Sequence, residues 1–433
     1  MRFGAVGDGK NDDTEAINHA VSDGDGVLHF PSGTYRISSP IEINLSDDGP
    51  LGIDGGGVAR VVMAGKGPAP FCGMMLSDMG ADVVRIDRVA APGRRYDRYV
   101  DPMSRGRRSV AVDLKTPAGV AAVRRLAARA DGLIEGYRPG VMERLGLGPA
   151  VCLEDNPRLV YGRVTGWGQE GPLAQAAGHD LNYVALTGTL HAIGEAGRPP
   201  PAPLALIGDF GGGAMFLAFG VVSALLEAQR SGAGQVVDAA MIEGVASLTA
   251  FTHGLRAAGW WKDERQANML DGGAHFYGTY ETKDGKFISI GAIEPEFYAE
   301  LIERLGIDAA KMPKKMDRTG WPQWRAHLAG IFAEKTRDEW CELLEGTDVC
   351  FAPVLTFDEA LAHPQNRARG TFTEYQGITQ PSPSPRFSRT PGAIQSPSPQ
   401  SGAHSRQALA DWGLSQEEID ELVAAGAVHQ AET

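Results

Sequence analysis

From residue 59 onward the chain alternates short apolar runs with amphipathic stretches. "ARVVMAG" (59–65) reads as a buried strand, "APFCGMMLSDMG" (69–80) as a helix and "ADVVRID" (81–87) as the next strand. "TPAGVAAVRRLAARA" (116–130) predicts a helix capped by Thr116 with Pro117 in its first turn, and "DGLIEGY" (131–137) predicts another strand. Such a βαβ series implies a parallel sheet covered by helices, with ligands meeting the carboxyl ends of the strands. A second alternating block spans about 265 to 365, with "KFISIGAI" as a strand and "EPEFYAELIERLG" as a helix, and predicts a smaller domain. Residues 376–406 are rich in Pro and Ser and predict an extended strap without a core of its own. "SQEEIDELVAAG", with Ser415 and Glu418 three apart, predicts a terminal helix with a capping box.

Residues 1 to about 60 follow a different grammar, with short β-segments such as "GVLHFPSGTYRIS" and "SPIEINL" between Gly and Asp clusters. This opening, with "FGAVGDGKNDDTEAI" from Phe3 to Ile17, resembles right-handed β-helix proteins of the pectate lyase and tailspike type. Only one or two rungs are present, and stacked repeats need about three before they bury a core, so an independent lyase or carbohydrate-binding domain is not expected.

Composition narrows the function. The chain has 433 residues, 43% hydrophobic and 22% charged, enough apolar material for more than one core. No run of about 18 consecutive apolar residues stands out and the start lacks signal-peptide features, which predicts a cytoplasmic protein without a membrane partner. Cys72, Cys152, Cys341 and Cys350 lack metal-ligand spacing, so no metal site is expected and buried thiols are the simplest reading. The net charge of −13 argues against a nucleic-acid partner. Charge is uneven, however: residues 1–60 carry a net −6, and eight arginines then fall between Arg85 and Arg108 (Arg85, Arg88, Arg94, Arg95, Arg98, Arg105, Arg107 and Arg108). These form either a solvated basic face or a set of forked donors for a polyanion such as a multiply phosphorylated nucleotide.

Three phrases carry candidate chemistry. In "GHDLNY", His179 and Asp180 stand just ahead of an apolar run. In "LALIGDFGGGAMF", a strand-like stretch ends at Asp209, and the glycines opening the following helix offer free N–H groups to an anion or oxyanion. In "GAIEPEFY", Glu294 stands before Pro295 at a helix start, as a cap or as a carboxylate fixing an imidazole tautomer.

From Arg60 to the end the chain resembles the α-methylacyl-CoA racemases of the family III CoA-transferase superfamily. The resemblance rests on "GADVVRIDR", "SVAVDLKTPAG", "LIEGYRPGVMERLGLGP", "VTGWGQEGPLAQAAGHDLNY", "IGDFGGGAMF", "GAGQVVDAAMIEG", the long run "NMLDGGAHFYGTYETKDGKFISIGAIEPEFY" and "SPRFSRT". It implies an α/β fold: a Rossmann-like large domain (59–240, completed by 376–433) and a smaller α/β domain with its connecting helix (241–375). An interlocked homodimer would place the site between domains of different subunits, with residues 1–58 as a short β-rich appendage. It further implies His179 and Asp209 as the two bases and Glu294 bonded to the histidine, with Tyr277 nearby. Asp180 holds the position of the nucleophile of related CoA transferases, which rarely have histidine before it. Arg88, Lys115 and Arg138 match positions that hold CoA, followed by Arg105 and Arg144. No cofactor is implied beyond the CoA of the substrate. "NML" and "HFYGTY" suggest pocket walls for a tolerant acyl site.

The sequence departs from this family in three places. Its usual leader is replaced by the β-helix-like segment, with a joint near Ala59 to Gly65 that reads as a fused or recombined reading frame. Lys66 stands where relatives often have an apolar residue, and Ala205 replaces a common asparagine.

Overall fold

A computed structural model describes residues 8–23, 27–29, 34–36, 52–54, 59–64, 67–89, 101–312 and 314–431, together with Ala5 and Ser38. Arg94, Arg95, Arg98, Lys66 and most of the N-terminal β-like text lie outside the described residues.

The centre is a seven-stranded sheet. Its strands, in chain order, are β1 (Arg60–Ala64), β2 (Asp82–Asp87), β3 (Arg107–Val112), β4 (Gly132–Glu135), β5 (Val160–Thr165), β6 (Val236–Ala240) and, after a long excursion, the terminal Val428–His429. They lie side by side as β6-β5-β4-β1-β2-β3 and then Val428–His429, all parallel except the last. Val61, Val62, Met63 and Ala64 are all buried, as expected of a parallel strand covered on both faces. Chain order reverses between β1 and β4, which opens a crevice at the carboxyl ends of the strands.

Helices cover both faces. The helix α1 (Ala69–Asp78) follows β1, and α2 (Pro117–Ala127) starts where Thr116 Oγ1 accepts from Gly119 N at 3.0 Å. The chain then forms α3 (Asp180–Leu186) and a ten-residue π-helical stretch, Leu206–Met215, that continues as α4 (Phe216–Ser231). Here the sequence expectation fails: the apolar text before Asp209 is helix, not strand. Together Leu206–Ser231 is also long and apolar enough to cross a membrane by length and composition, which the interruptions at Asp209 and the glycines obscured. One face of this helix, including Leu217, Val221 and Ala224, packs into the core beside the sheet, while Phe219, Val222 and Leu226 are exposed.

Beyond β6, α5 (Met241–Leu248) and α6 (Ala250–Ala257) lead to a three-stranded antiparallel sheet. Its strands are β7 (Tyr277–Glu281), β8 (Phe287–Gly291) and β9 (Phe351–Val354). The helices α7 (Pro295–Arg304), α8 (Trp321–Phe332) and α9 (Arg337–Leu344) give this unit its own core around Ile288, Leu301, Phe332 and Trp340. His275 and Phe276, expected as pocket wall, are fully buried instead, and Met269 packs against the cluster of Phe276 and Trp321. Of the apolar residues in "NML", Leu270 lines an open hollow of about 710 Å³.

The strap behaves as its composition predicts: after the hairpin Phe372–Tyr375/Ile378–Pro381 it runs without regular structure and borrows hydrogen bonds from the large sheet's loops. Ala393 N donates to Asp78 O and Ser401 Oγ to Arg88 O. It ends in α10 (Ser405–Asp411) and α11 (Gln416–Ala424), the latter with the expected Ser415/Glu418 capping box. Trp412 is fully buried, its Nε1 donating to Asp82 Oδ2 at 2.8 Å, so the C-terminus returns to β2. Cys72 and Cys152 are buried as expected, Cys341 is half-buried, and Cys350 is exposed.

The N-terminal segment shows two parallel strand pairs, Asp8–Asp12 with Thr34–Arg36 and Val27–His29 with Gly52–Asp54. Parallel pairing of successive segments is the arrangement that rungs of a β-helix require. The helix Thr14–Asp23 between them was not foreseen.

Two stability outcomes follow. Arg105→Met strands the buried Asp78 carboxylate and lowers the free energy of urea unfolding by about 3–5 kcal/mol. Ala205 has φ 60°, a left-handed conformation that asparagine tolerates better than alanine, so Ala205→Asn raises it by about 1 kcal/mol.

Candidate active site

Two helix N-termini meet at the carboxyl end of the large sheet, and one carboxylate ties them together. Asp180, the first residue of α3, is 5% exposed, and its Oδ1 accepts from Gly208 N at 2.5 Å and Asp209 N at 2.9 Å. A Cβ at Gly208 would lie 2.7 Å from that oxygen, so only glycine allows this approach. The expectation that Gly211, Gly212 and Gly213 open a helix with free N–H groups is corrected: they lie inside the π-helical stretch, and near its actual start Gly208 and Asp209 donate to Asp180.

His179 caps α3 from an extended backbone, its N–H donating to Asn182 Oδ1 at 3.0 Å, and its ring is exposed. Asp209 is half-buried in the first turn of the π-helical stretch. Burial and the negative charge of Asp180 push its pKa above the usual carboxylate range, with His179 pulling the other way. A proton therefore binds Asp209 more readily than a surface aspartate, and the imidazole lies within electrostatic reach. That pairing suits proton delivery and removal.

Tyr183, one turn after His179, was missed from sequence. Its ring stacks edge-on against Trp167 at 4.8 Å, and Gly166 and Gly178 make room for it, since a Cβ on either would collide with the ring. Burial raises its pKa, Asp209 raises it further and Arg138 lowers it, so Arg138 also faces this cluster. The signal available in the sequence was the four-residue spacing from His179, which brings both to one helical turn.

Arg138 stands exposed on the loop after β4. That loop is fixed from below by the fully buried Glu135, whose Oε2 accepts from Tyr137 N at 2.7 Å while Oε1 pairs with Arg163 at 2.7 Å. Lys115 and Arg144 line one groove of about 370 Å³ beside Thr116 and Val120. Arg88 is exposed at the end of β2. Arg105 is a correction: it is 2% exposed, forks onto Asp78 at 2.6 and 3.1 Å, and donates to Gln380 Oε1 and Pro381 O. Its donors are spent on pinning the strap, leaving none directed at a ligand.

Glu294 caps α7 with an exposed carboxylate, and Tyr277 begins β7 opposite Gly291. Within one chain no hydrogen bond joins either of them to His179 or Asp209 among the described residues. Among the described residues, no group of three or more His, Cys, Asp or Glu side chains is placed to hold a metal ion.

Comparison with known proteins gives the family. The family model for CoA-transferase family III matches residues 57–405, and that for rhamnogalacturonase A/epimerase, pectate lyase-like, matches residues 1–47. The two matches do not overlap, and the gap between them ends just before the joint expected at Ala59 to Gly65. The chain is 48% identical over 368 residues to alpha-methylacyl-CoA racemase of Mus musculus, covering 84% of this chain and 95% of that protein. It is 47% identical over 369 residues to the alpha-methylacyl-CoA racemase of Homo sapiens, with the same coverage. A CaiB/BaiF family protein from Brucella suis superposes with a TM-score of 0.71 at 26% identity, covering 82% of this chain and 98% of that one. By the extent of these matches, the chain belongs to CoA-transferase family III.

Proposed function

We propose that this protein is an enzyme that inverts the α-carbon of 2-methylacyl-CoA thioesters by removing a proton on one face and returning it on the other. The observation that carries the reading is the pairing of exposed His179 with Asp209, whose carboxyl is held above the usual range by burial and by Asp180. The identity of 47–48% to racemases supports the same chemistry. His179 takes the proton in one direction while protonated Asp209 supplies the other face; the roles exchange in reverse. The enolate oxygen is met by the first-turn N–H groups of Asp180 and Leu181, which have no intrahelical acceptor at that position. Asp180 Oδ1 is held by Gly208 and Asp209 while Oδ2 is buried without a partner, so what favours racemisation over acyl transfer through Asp180 as nucleophile is the histidine that precedes it, His179.

CoA enters as part of the substrate, its phosphates met by Arg88, Lys115, Arg138 and Arg144. The strand order supports a Rossmann-like reading of the large domain, residues 59–240 with 376–433, and the separate core supports 241–375 as the second unit. A homodimer completes the site by bringing Glu294 and Tyr277 of one copy to His179 of the other. The apolar residues left exposed on the lone chain support this: Phe219 is 75% exposed, Trp260 67% and Phe251 63%.

The test is proton NMR of a single enantiomer of 2-methylacyl-CoA in deuterated water. Loss of the α-proton with growth of the opposite epimer is expected, and His179→Ala slows it by about 100-fold or more. A folded, dimeric protein that exchanges nothing overturns the reading. Phe219→Asp shifts the protein to monomer in sedimentation and removes activity with it. Asp209→Asn abolishes epimer formation while altering stability with a definite sign. The folded state binds the Asp209 proton more tightly than the unfolded chain, so its contribution is fully present below the ordinary carboxylate range and lost as pH rises through the raised value. The variant therefore resists urea better than wild type at pH 8, and the difference closes toward pH 3.

A further inference from the structure

Glu294 stands at a joint between strand and helix, and a single lysine holds that joint. Lys315 reaches back across the small domain so that its ammonium donates to Ala292 O at 2.8 Å, to Ile293 O, and to Glu294 O at 3.4 Å. Three consecutive carbonyls thus converge on one donor group. The same Glu294 carbonyl accepts the first bond of α7, from Tyr298 N at 3.0 Å. The lysine is itself fixed. Its ammonium lies 4.5 Å from the ring centre of Phe276 and 4.6 Å from that of Tyr298, and its carbonyl accepts from the buried Trp321 Nε1 at 2.8 Å. The main core of the small domain, around Ile288, Leu301, Phe332 and Trp340, is assembled without it, and Lys315 instead lies against the smaller cluster of Phe276, Trp321 and Tyr298.

We propose that Lys315 is the positioning residue for Glu294, fixing the backbone from which the carboxylate is projected toward the imidazole. The proposal rests on the reading above, in which Glu294 of one copy orients His179 of another. Rotation about the joint would swing the side chain of Glu294 by far more than it moves the backbone, and three carbonyl contacts oppose that rotation. The titratable groups around the ammonium are Glu294 and Glu296 at the start of α7, Cys350 beside β8, and His275, which burial and the ammonium push down to about 4 and so leave neutral.

The test uses the full-length protein with variants Lys315→Met, Lys315→Arg and Lys315→Gln, and reads kcat and KM for α-proton exchange. Lys315→Met is expected to lower kcat about tenfold with KM for the CoA thioester changed less than twofold, since the CoA-binding groups are elsewhere. Lys315→Arg restores most of kcat. Lys315→Gln keeps a donor without the charge: it shows a smaller fall in kcat than Lys315→Met, and it carries the test should the Met variant not fold. Glu294→Gln is the control for the underlying reading. If it exchanges like wild type, the assignment of Glu294 fails and the proposal with it. If Glu294→Gln is impaired while folded Lys315→Met and Lys315→Gln keep wild-type kcat, the role of Lys315 alone is overturned.

Discussion

The arrangement of the site depends on one carboxylate oxygen accepting two backbone N–H groups. Asp180 Oδ1 joins the start of α3 to the start of the π-helical stretch, two segments separated by about thirty residues of chain. Because His179 immediately precedes Asp180, and Asp209 is one of the two donors, both proposed bases are referred to the same atom. The bond also bears on the chemistry of Asp209. Burial first, and then the negative charge of Asp180, make that carboxyl hold its proton, and the helix starts supply positive dipole ends that make burying Asp180 tolerable. Position, and part of the proton affinity of Asp209, therefore come from one interaction.

Around that point the protein builds outward in layers of decreasing burial. Glu135 and Arg163 are buried beneath the Arg138 loop, and Arg138 itself reaches solvent. Lys115 and Arg144 lie further out along a surface groove. This gradient separates two tasks. Asp209 sits half-buried, where burial raises its pKa, and His179 beside it reaches solvent, while the basic side chains suited to phosphates sit where a flexible, highly charged chain can slide in and still be hydrated.

Local signals were legible in the sequence because they are local in cause. The alternation of β1, α1 and β2, the Thr116 and Ser415 caps, and the Pro/Ser strap each depend on neighbouring residues, and each was read correctly. The G-H-D and G-D-F phrases were legible as a pair only through resemblance, since no spacing rule says that Gly208 N meets Asp180. The errors share the opposite property. Leu206–Met215 reads as a strand by composition, yet the left-handed Leu204 and Ala205 redirect the chain and the bond to Asp180 holds it helical. Arg105 belonged to a run of arginines that looked like one functional patch. Its fate was decided by Asp78 and Gln380, the latter 275 positions away. His275 looked like pocket wall and lies at a core centre for the same reason. Glu294 cannot be joined to His179 by reading one chain at all, because the reading that unites them requires a second copy.

The small domain leaves the large sheet after β6 and the chain returns to it through the strap, so it is tethered at two places. The buried fork of Arg105 on Asp78, with Gln380 and Pro381, fastens the returning tether, and Arg265, which donates to the carbonyls of His191, Glu195 and Arg198, adds a fastening near the outgoing one. The frame that carries Glu294 is thus clipped down at both of its chain crossings.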